Sequence, residues 1–418
     1  MTQFWLGSEM AERVEKLTGP LVATISALSL VATLFFIAPG LFLDPRFWAE
    51  EAVFYYPNAL KLGPASLLSV INGNYQFLTN LLAWLSTLVD PLYAPAVTSY
   101  ASIGIMCIVA AQIALVVKDV GAAPLLAPLV VVAWVLSPVT WEVTATATNI
   151  QWIAAISILL LAFQSLRGLR WPASAALLLW AVACGLTGVP SALLTPVLLL
   201  SGLAQKSRLH IAIGLVLGIC ALIQIGIIVQ SGAPNRSPEF GIITTLLPPF
   251  THDFYGQLLG LGEARILAEQ GVKSRMSAAA LIVFGTAALA ALLALSERRL
   301  LVALALFAFA LAGILQSIGA YGDAQAKIAS VTPVHGARYY ATGGTALLIA
   351  FAIFRTRPAI PAIVLAFVAL NAAPQAAKHF AWEAATFRSW RAQVTDCEGV
   401  CRIEAWPPSW SVEIRRHR

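Results

Sequence analysis

Two adjacent glutamates, Glu50 and Glu51, follow the first long apolar run of the chain, in the segment Asp44-Pro45-Arg46-Phe47-Trp48-Ala49-Glu50-Glu51. Neighbouring acids beside an apolar run are costly unless they do chemistry or bind a cation. A carboxylate whose pKa is raised by a like-charged neighbour or by partial burial can act as a general base toward a hydroxyl group. We therefore predict Glu50 and Glu51 as catalytic residues. The alternative is a solvated helix start, where acids favour the first turn through the helix dipole.

The composition predicts an all-α polytopic membrane protein. Hydrophobic residues make up 59% of the 418 residues and charged residues only 11%, whereas soluble domains carry about 25% charged residues. Long apolar runs, in place of short alternating strands, exclude an outer-membrane barrel. Because a span needs about 20 apolar residues, we expect about eleven transmembrane helices. They fall at residues 21–39, 96–117, 122–139, 150–166, 172–187, 189–204, 209–230, 277–295, 300–319, 339–354 and 358–374.

Lys and Arg concentrate in alternate loops, which predicts a cytoplasmic N-terminus and a periplasmic C-terminus. Residues 1–376 then form the transmembrane domain, and residues 377–418 form a short periplasmic tail. The periplasmic loops are predicted at residues 41–95, 230–277 and 319–338. Polar interruptions in the first and middle loops predict interfacial helices there.

Polar groups at the ends of the apolar runs are further candidates. Arg338 and Arg46 are the outer guanidinium groups closest to helix ends, where they would bind a phosphate; the alternative is that they anchor in lipid headgroups. His252 and Asp253 look like a base with its orienting acid, but neighbours on a loop rarely face one another, which favours a structural or accessory binding role. The candidate cavity residues are Asp44, Tyr75, Gln76, Asn149, Gln151, His252, Asp253 and Tyr339. The alternative for Asp44 is a turn residue at the end of a helix, and for Asn149 and Gln151 helix capping is favoured over cavity lining.

Five cysteines are present, and two of them, Cys397 and Cys401, lie four residues apart in the predicted periplasmic tail. A disulfide between them fits an oxidising compartment, although the sequence alone leaves it open. The other cysteines lie in apolar helices, where they act as small packing residues.

The layout resembles the glycosyltransferase C fold, a superfamily of polytopic enzymes that use sugars carried on polyprenyl phosphate. Glu50-Glu51 stands where the superfamily more often has an Asp-containing diacidic motif directly after its first helix, and amphipathic pieces come before the second span. Within the superfamily, the chain is most similar to bacterial polytopic proteins that share five short motifs with it. These are Arg46-Phe47-Trp48-Ala49-Glu50-Glu51, Tyr75-Gln76, Asn149-Ile150-Gln151-Trp152, Gly185-Leu186-Thr187-Gly188-Val189-Pro190-Ser191 and Arg338-Tyr339.

The resemblance implies an inverting transfer of a sugar from a polyprenyl-phosphate donor to a cell-surface glycan or lipid acceptor, on the periplasmic side of the bacterial inner membrane. Some members of the superfamily use a divalent ion; here Glu50 or Asp44 would hold one, and neighbouring acids alone do not establish it. Membrane lipids are the other expected partners, and the net charge of +6 reflects inner loops and tail, not nucleic-acid binding. The main rival interpretation is a transporter or flippase of a lipid-linked glycan.

Overall fold

The computed structural model describes residues 2–231, 242–319 and 337–416. It is mostly helical (76%). The α-helices are α1 (Thr2–Ile37), α2 (Gly40–Leu43), α3 (Tyr56–Leu62), α4 (Phe77–Ser86), α5 (Ala94–Asp119), α6 (Leu126–Leu136), α7 (Ile150–Leu161), α8 (Trp171–Gly185), α9 (Val189–Ala192), α10 (Thr195–Ala204), α11 (Arg208–Ser231), α12 (Ile242–Pro248), α13 (Gly256–Leu259), α14 (Leu261–Lys273), α15 (Arg275–Ala294), α16 (Arg299–Gly319), α17 (Ala341–Ile353), α18 (Ala359–Thr386) and α19 (Trp390–Thr395).

Shorter elements connect these helices. Two antiparallel hairpins join β1 (Val70–Ile71) to β2 (Asn74–Tyr75) and β3 (Gly399–Glu404) to β4 (Ser411–Arg416). π-helices cover Glu51–Tyr55 and Pro249–Tyr255, and 3-10 turns cover Gly63–Leu68, Pro138–Val143 and Ala337–Tyr340.

Within the described residues, five helices are long and apolar enough to cross a membrane. They are Gly19–Ile37, Ala94–Asp119, Arg208–Ser231, Arg275–Ala294 and the helix that begins at Ala359. Shorter apolar helices occupy the other predicted spans, so the chain has the helices of a multi-pass membrane protein, and the number eleven stays a prediction. The predicted loop at residues 319–338 lies mostly outside the described residues.

Two of the shorter helices, α7 and α17, form the centre of the structure. The residues of α17 are all buried, as are those of α7 apart from the partly buried Gln151. Helices α5, α6, α16 and α18 pack around this pair. The largely apolar composition of α7 and α17 is that expected of fully enclosed helices. The central pair therefore provides a rigid base for the turns that precede Ile150 and Ala341.

The loops predicted to hold interfacial helices do contain amphipathic helices. In the middle loop this is α14, Leu261–Lys273, which carries the exposed ion pair Arg265–Glu269. In the first loop it is α4, whose polar residues Thr79 and Asn80 are buried and hydrogen-bond to the carbonyl groups of Ala147 and Ser69. The polar side of α4 therefore faces the protein. Its side chains supply hydrogen-bond donors to carbonyl groups in the interior, where polar groups are normally paired.

Helix α18 continues past residue 376 to Thr386, so the predicted tail begins later than expected. Residues 387–416 form a small unit of α19 and the β3–β4 hairpin with a Cys397–Cys401 disulfide, and we call it the C-terminal module. It shares a hydrophobic core with Phe47, Ala52 and Tyr56 of the first loop. The C-terminal module is thus packed against the segment that carries the two glutamates.

Candidate active site

A cavity of about 310 Å³ opens at the N-terminal ends of the two central helices. It collects residues from the first loop, the start of α7, the α8–α9 turn and the turn before α17. Its lining consists of Glu50, Tyr55, Ile71, Asn72, Asn74, Gln76, Thr148, Asn149, Gln151, Trp152, Val189, Pro190, Leu193, Ile228, Leu315, Arg338 and Tyr339. Six residues predicted from the sequence therefore meet here: Glu50, Gln76, Asn149, Gln151, Arg338 and Tyr339.

The adjacent glutamates have different surroundings. Glu50 lines the cavity, and its buried Oε2 atom has no hydrogen-bond partner among the described residues. Glu51 is 3% exposed and faces away, where it accepts hydrogen bonds from the Thr148 backbone N–H (3.0 Å) and the Thr98 hydroxyl (3.3 Å). Ala49, in left-handed backbone conformation with φ of 23°, turns the chain immediately before them. Glu50 is consequently available to a substrate, whereas Glu51 holds the loop against residues 147–148.

Burial decides the protonation chemistry of Glu51. Desolvation raises its pKa to about 7, although hydrogen bonds from the backbone of Thr148 and Trp48 favour the charged form. No cationic side chain forms an ion pair with Glu51 among the described residues. Glu51 is thus a buried acid that is held by donors, in contrast to the cavity-facing Glu50.

Arg338 is the cationic residue among the described cavity lining, and Glu142 fixes it there. Its guanidinium pairs with the Glu142 carboxylate, which also accepts the Arg338 backbone N–H at 3.2 Å. Glu142 is 1% exposed, while the Arg338 side chain is 25% exposed. Burial opposes the charged form of Arg338, but Glu142, Tyr339 and Glu50 together outweigh it and raise the pKa of Arg338 above its usual value. Arg338 is therefore a permanent cation with part of its guanidinium open to the cavity.

Asn149 connects this ion pair to helix α7. Its amide donates to the Glu142 backbone carbonyl at 2.8 Å, from the position that immediately precedes Ile150. Glu142 itself lies in the 3-10 turn Pro138–Val143, which packs against the turn Ala337–Tyr340. The buried Glu142 therefore links the turn before α7 to the turn before α17 through its ion pair with Arg338.

The opposite wall is the short β1–β2 hairpin. Asn72 and Gly73 both have positive φ angles, 53° and 70°, which is the geometry that the Asn-Gly pair favours in a two-residue turn. The hairpin directs Asn74 into the cavity, where its amide lies 3.4 Å from the Gln151 Oε1 atom. The neighbouring Gln76 pairs with Thr187 in an isolated bridge, so the hairpin is anchored to the α8–α9 turn.

Gly188 explains part of the motif at residues 185–191. Its φ is 88°, and a Cβ atom at this position would collide with the Gln151 side chain. Its N–H donates to the Tyr75 carbonyl at 3.0 Å, and the Gln224 amide donates to the same carbonyl at 2.9 Å. Tyr75 therefore contributes its backbone to the wall, while its hydroxyl bonds the Leu67 carbonyl outside the cavity lining.

Arg46 and Asp44 lie elsewhere. Both line a separate pocket at the end of α1, and Arg46 forms a buried ion pair with Glu383 of α18. The Arg46 guanidinium lies over the rings of Phe387 and Trp406 at 5.3 and 5.4 Å. Burial lowers the pKa of Arg46 to about 9, which still leaves it cationic at neutral pH. Its position fits a structural cation–π and ion-pair contact.

His252 and Asp253 are also outside the cavity lining. His252 stacks on Tyr340 with ring centroids 4.3 Å apart, and its Nδ1 atom lies 3.0 Å from the Pro248 carbonyl. Asp253 is fully buried against Gly343 and Gly344 of α17. This arrangement fits the structural role that their sequence adjacency favoured.

The sequence did not single out several lining residues as site candidates, among them Tyr55, Asn72, Asn74 and Thr148. The Asn72-Gly73 pair is a turn signal from which the hairpin could have been predicted, but the approach of the hairpin to α7 depends on contacts far apart in the chain. Trp152 belonged to a quoted motif; its ring meets that of Tyr339 edge-on at 5.1 Å.

No protein-family model matches the chain, and neither a curated protein nor a solved structure matches it.

Proposed function

We propose that the chain is a membrane glycosyltransferase that moves a sugar from a polyprenyl-phosphate donor to a glycan or lipid acceptor in this cavity. The observation that supports the proposal best is the convergence of Glu50 and Arg338 on one enclosed space at the ends of two buried helices. A base for a hydroxyl group and a cation for a phosphate are the two groups that such a transfer requires.

In this mechanism Glu50 is the general base. It takes the proton of the acceptor hydroxyl while the oxygen attacks the anomeric carbon from the side opposite the phosphate. The bond between that carbon and the phosphate oxygen breaks, and its electron pair leaves with the lipid phosphate. One displacement of this kind inverts the anomeric centre.

Arg338 would stabilise the charge that grows on the departing phosphate. Glu142 and Asn149 hold its guanidinium before substrate arrives, so little reorganisation is needed in the transition state. The first turn of α7 lies beside it, with Gln151 and Trp152 in the cavity lining. A helix N-terminus carries a partial positive charge and favours an anion at this position.

The apolar part of the cavity lining suits the lipid part of the donor. Leu193, Ile228 and Leu315 line it and come from three different apolar segments. An isoprenoid chain can therefore lie against α11 and α16 while its phosphate points toward Arg338. On the positive-inside argument, this cavity belongs to the periplasmic face of a bacterial inner membrane.

The described residues do not bring together the acids that were expected to hold a divalent ion. Asp44 lines the pocket of Arg46, while Glu50 lines the cavity. No cluster of three or more His, Cys, Asp or Glu side chains suited to a metal occurs in the described part of the chain. The Asp44 and Glu50 pair does not fit a shared ion, and no step of the mechanism passes through one.

The experiment is transfer from a panel of polyprenyl-phosphate sugars to crude membrane acceptors by the purified wild type, Glu50→Gln and Glu51→Gln. Loss of the base should lower transfer by about 10²- to 10⁴-fold in Glu50→Gln, with donor binding retained. Glu51→Gln is the matched control, because it changes the neighbouring acid that faces away from the cavity. Transfer that survives Glu50→Gln contradicts the proposal.

Transport of a lipid-linked glycan is the second candidate, and one buried pair favours it. Asp253 and Gln257 are fully buried, and their side-chain polar atoms lack hydrogen-bond partners among the described residues. Buried ionisable groups beside helix breaks, here the π-helix Pro249–Tyr255, are frequent in transporters. The discriminating result is translocation of a fluorescent polyprenyl-diphosphate glycan in vesicles that Asp253→Asn abolishes and Glu50→Gln does not.

A further inference from the structure

Side-chain amides dominate the polar lining of the cavity. Five of them converge on it, whereas only two of the described lining residues, Glu50 and Arg338, carry a charge. The five are Asn72, Asn74, Gln76, Asn149 and Gln151. An amide offers one acceptor and two donor hydrogens without a charge, which matches hydroxyl groups that both donate and accept.

The amides are held in place by the fold. The positive φ angles of Asn72 and Gly73 fix the hairpin turn, and Gln76 is tied to Thr187 and Thr79. Asn74 still has an unused group, because its buried Oδ1 atom lacks a hydrogen-bond partner among the described residues. A buried acceptor without a partner is unfavourable, so a ligand that donates to it gains binding energy.

Two aromatic rings complete the lining beside the amides. Trp152 and Tyr339 meet edge-on with centroids 5.1 Å apart, and Arg338 lies over the Tyr339 ring at 5.4 Å. Both aromatic residues line the cavity, and an aromatic ring in such a lining can cover the apolar C–H side of a sugar ring while the amides bind its hydroxyl groups. Hydroxyl-binding and C–H-binding groups therefore occur in the same small cavity.

The charges argue against a second acidic group on the ligand. The positive charge of Arg338 is already balanced by the buried Glu142, and Arg338 is the cation that the proposed function assigns to the phosphate. Glu50 adds a negative charge to the lining. A carboxylate on the sugar would therefore meet Glu50 without a free cation among the described lining residues, which is unfavourable in a partly desolvated site.

We propose that the cavity selects an uncharged sugar, a neutral hexose or pentose, and rejects a uronic acid of the same size. The inference rests on the proposed function only in taking the ligand to be a sugar linked to a lipid phosphate. The amides Asn74 and Gln151 determine the selection, together with the negative charge of Glu50.

Binding of three kinds of short-chain probe to the purified full chain tests the inference without any turnover. They are farnesyl phosphate alone, farnesyl phosphate carrying glucose, mannose or arabinose, and farnesyl phosphate carrying galacturonate, with Kd followed by tryptophan fluorescence. At least one neutral sugar should bind about ten-fold tighter than farnesyl phosphate, which corresponds to about 1.4 kcal/mol. Galacturonate should give no gain.

Variants identify the groups responsible. The gain is the ratio of the Kd of farnesyl phosphate to the Kd of the probe that carries the neutral sugar. Asn74→Ala should lower this ratio by about five- to ten-fold. Its Kd for farnesyl phosphate alone should stay unchanged, which also shows that the variant is folded. Asn58→Ala is the matched control, because Asn58 bonds the Ser69 hydroxyl at 2.8 Å outside the cavity lining. It should keep the full gain.

The outcomes separate the two proposals. If farnesyl phosphate binds and no neutral sugar adds affinity, or if galacturonate binds tighter, the inference is wrong while the lipid-phosphate site stands. Failure of all probes to bind would overturn both. A gain of the same size in Asn74→Ala and Asn58→Ala would show that the amides do not recognise the sugar, which also overturns the inference.

Discussion

Two arginine–glutamate pairs, Arg338–Glu142 and Arg46–Glu383, have different surroundings in the fold. Arg338 and Glu142 join the turns before the central helices, and the arginine keeps a quarter of its side chain exposed to the cavity. Arg46 and Glu383 are 9% and 4% exposed and lie beneath the C-terminal module. The chemistry of the pairs is identical, so their different roles come from the residues that surround them.

The surroundings differ in one decisive respect. Above Arg338 the structure leaves a cavity, whereas Arg46 is covered by Phe387 and Trp406. Backbone contacts reinforce the cover, because Trp406 donates its N–H to the Phe47 carbonyl at 3.0 Å and accepts the Ala49 N–H with its own carbonyl. We conclude that Arg46 organises the loop that presents Glu50, while Arg338 is left open to meet a ligand.

Breaking the buried pair should have the largest effect on stability. Glu383→Gln leaves the Arg46 charge buried without its partner, a change that is unfavourable by about 3–5 kcal/mol. Thermal unfolding in detergent should show a clearly lower Tm. The control is Glu404→Gln, whose pair with Arg388 is exposed (47% and 69%) and contributes at most about 1 kcal/mol. Equal Tm shifts in the two variants would contradict the comparison.

Removing the cavity-facing cation should affect transfer more than stability. If the proposed function is correct, Arg338→Gln removes the fixed cation beside the leaving phosphate, so transfer should fall by about 10²- to 10³-fold, as when an oxyanion donor is removed. Initial rates and donor binding measure the effect. Arg265→Gln, on the exposed face of α14, is the control and should leave the rate unchanged. A rate in Arg338→Gln close to that of the wild type would mean that the two pairs are both structural.

A smaller, pH-dependent effect is expected at Glu51, a buried acid for which desolvation outweighs the hydrogen bonds that it accepts. Its pKa is raised to about 7 in the folded chain, above its ordinary value, so its ionisation opposes folding. The stability that the neutral acid provides is present below the unfolded pKa and is lost as pH rises through about 7. Glu51→Gln cannot ionise, so the Tm of the wild type should fall relative to that of the variant between pH 5 and pH 8. A Tm difference that stays constant across this range would show that Glu51 does not titrate there.

Much of the fold could be predicted because it depends on local pattern. Each predicted apolar run contains helix, although residues 189–204 hold two helices, α9 and α10. A run of apolar residues needs no distant partner to be helical in a membrane. The runs alone could not show that residues 150–166 and 339–354 include the central, fully enclosed helices. Lipid and protein interior are equally apolar, so hydropathy does not distinguish a buried helix from a peripheral one.

The sequence could predict a cavity residue where the residue type and its position at the end of a helix were sufficient to identify it. Glu50, Gln151 and Arg338 were candidates from the sequence and line one cavity, because the ends of neighbouring spans lie on one face. Arg46 was predicted as a phosphate ligand, but its contacts with Glu383 and Trp406 come from the far end of the chain. No pattern within the first loop announces such a partner.

The backbone bridge between Trp48 and Trp406 also constrains the path of the chain through the bilayer. Hydrogen-bonded segments must lie on the same side of the membrane, so the chain makes an even number of crossings between them. Eleven spans, with the first before Trp48, satisfy this parity, and adding or removing a single span would not. The bridge also sets an order in time: the loop that presents Glu50 stays incomplete until the segment around Trp406 has been synthesised and delivered to its side of the membrane.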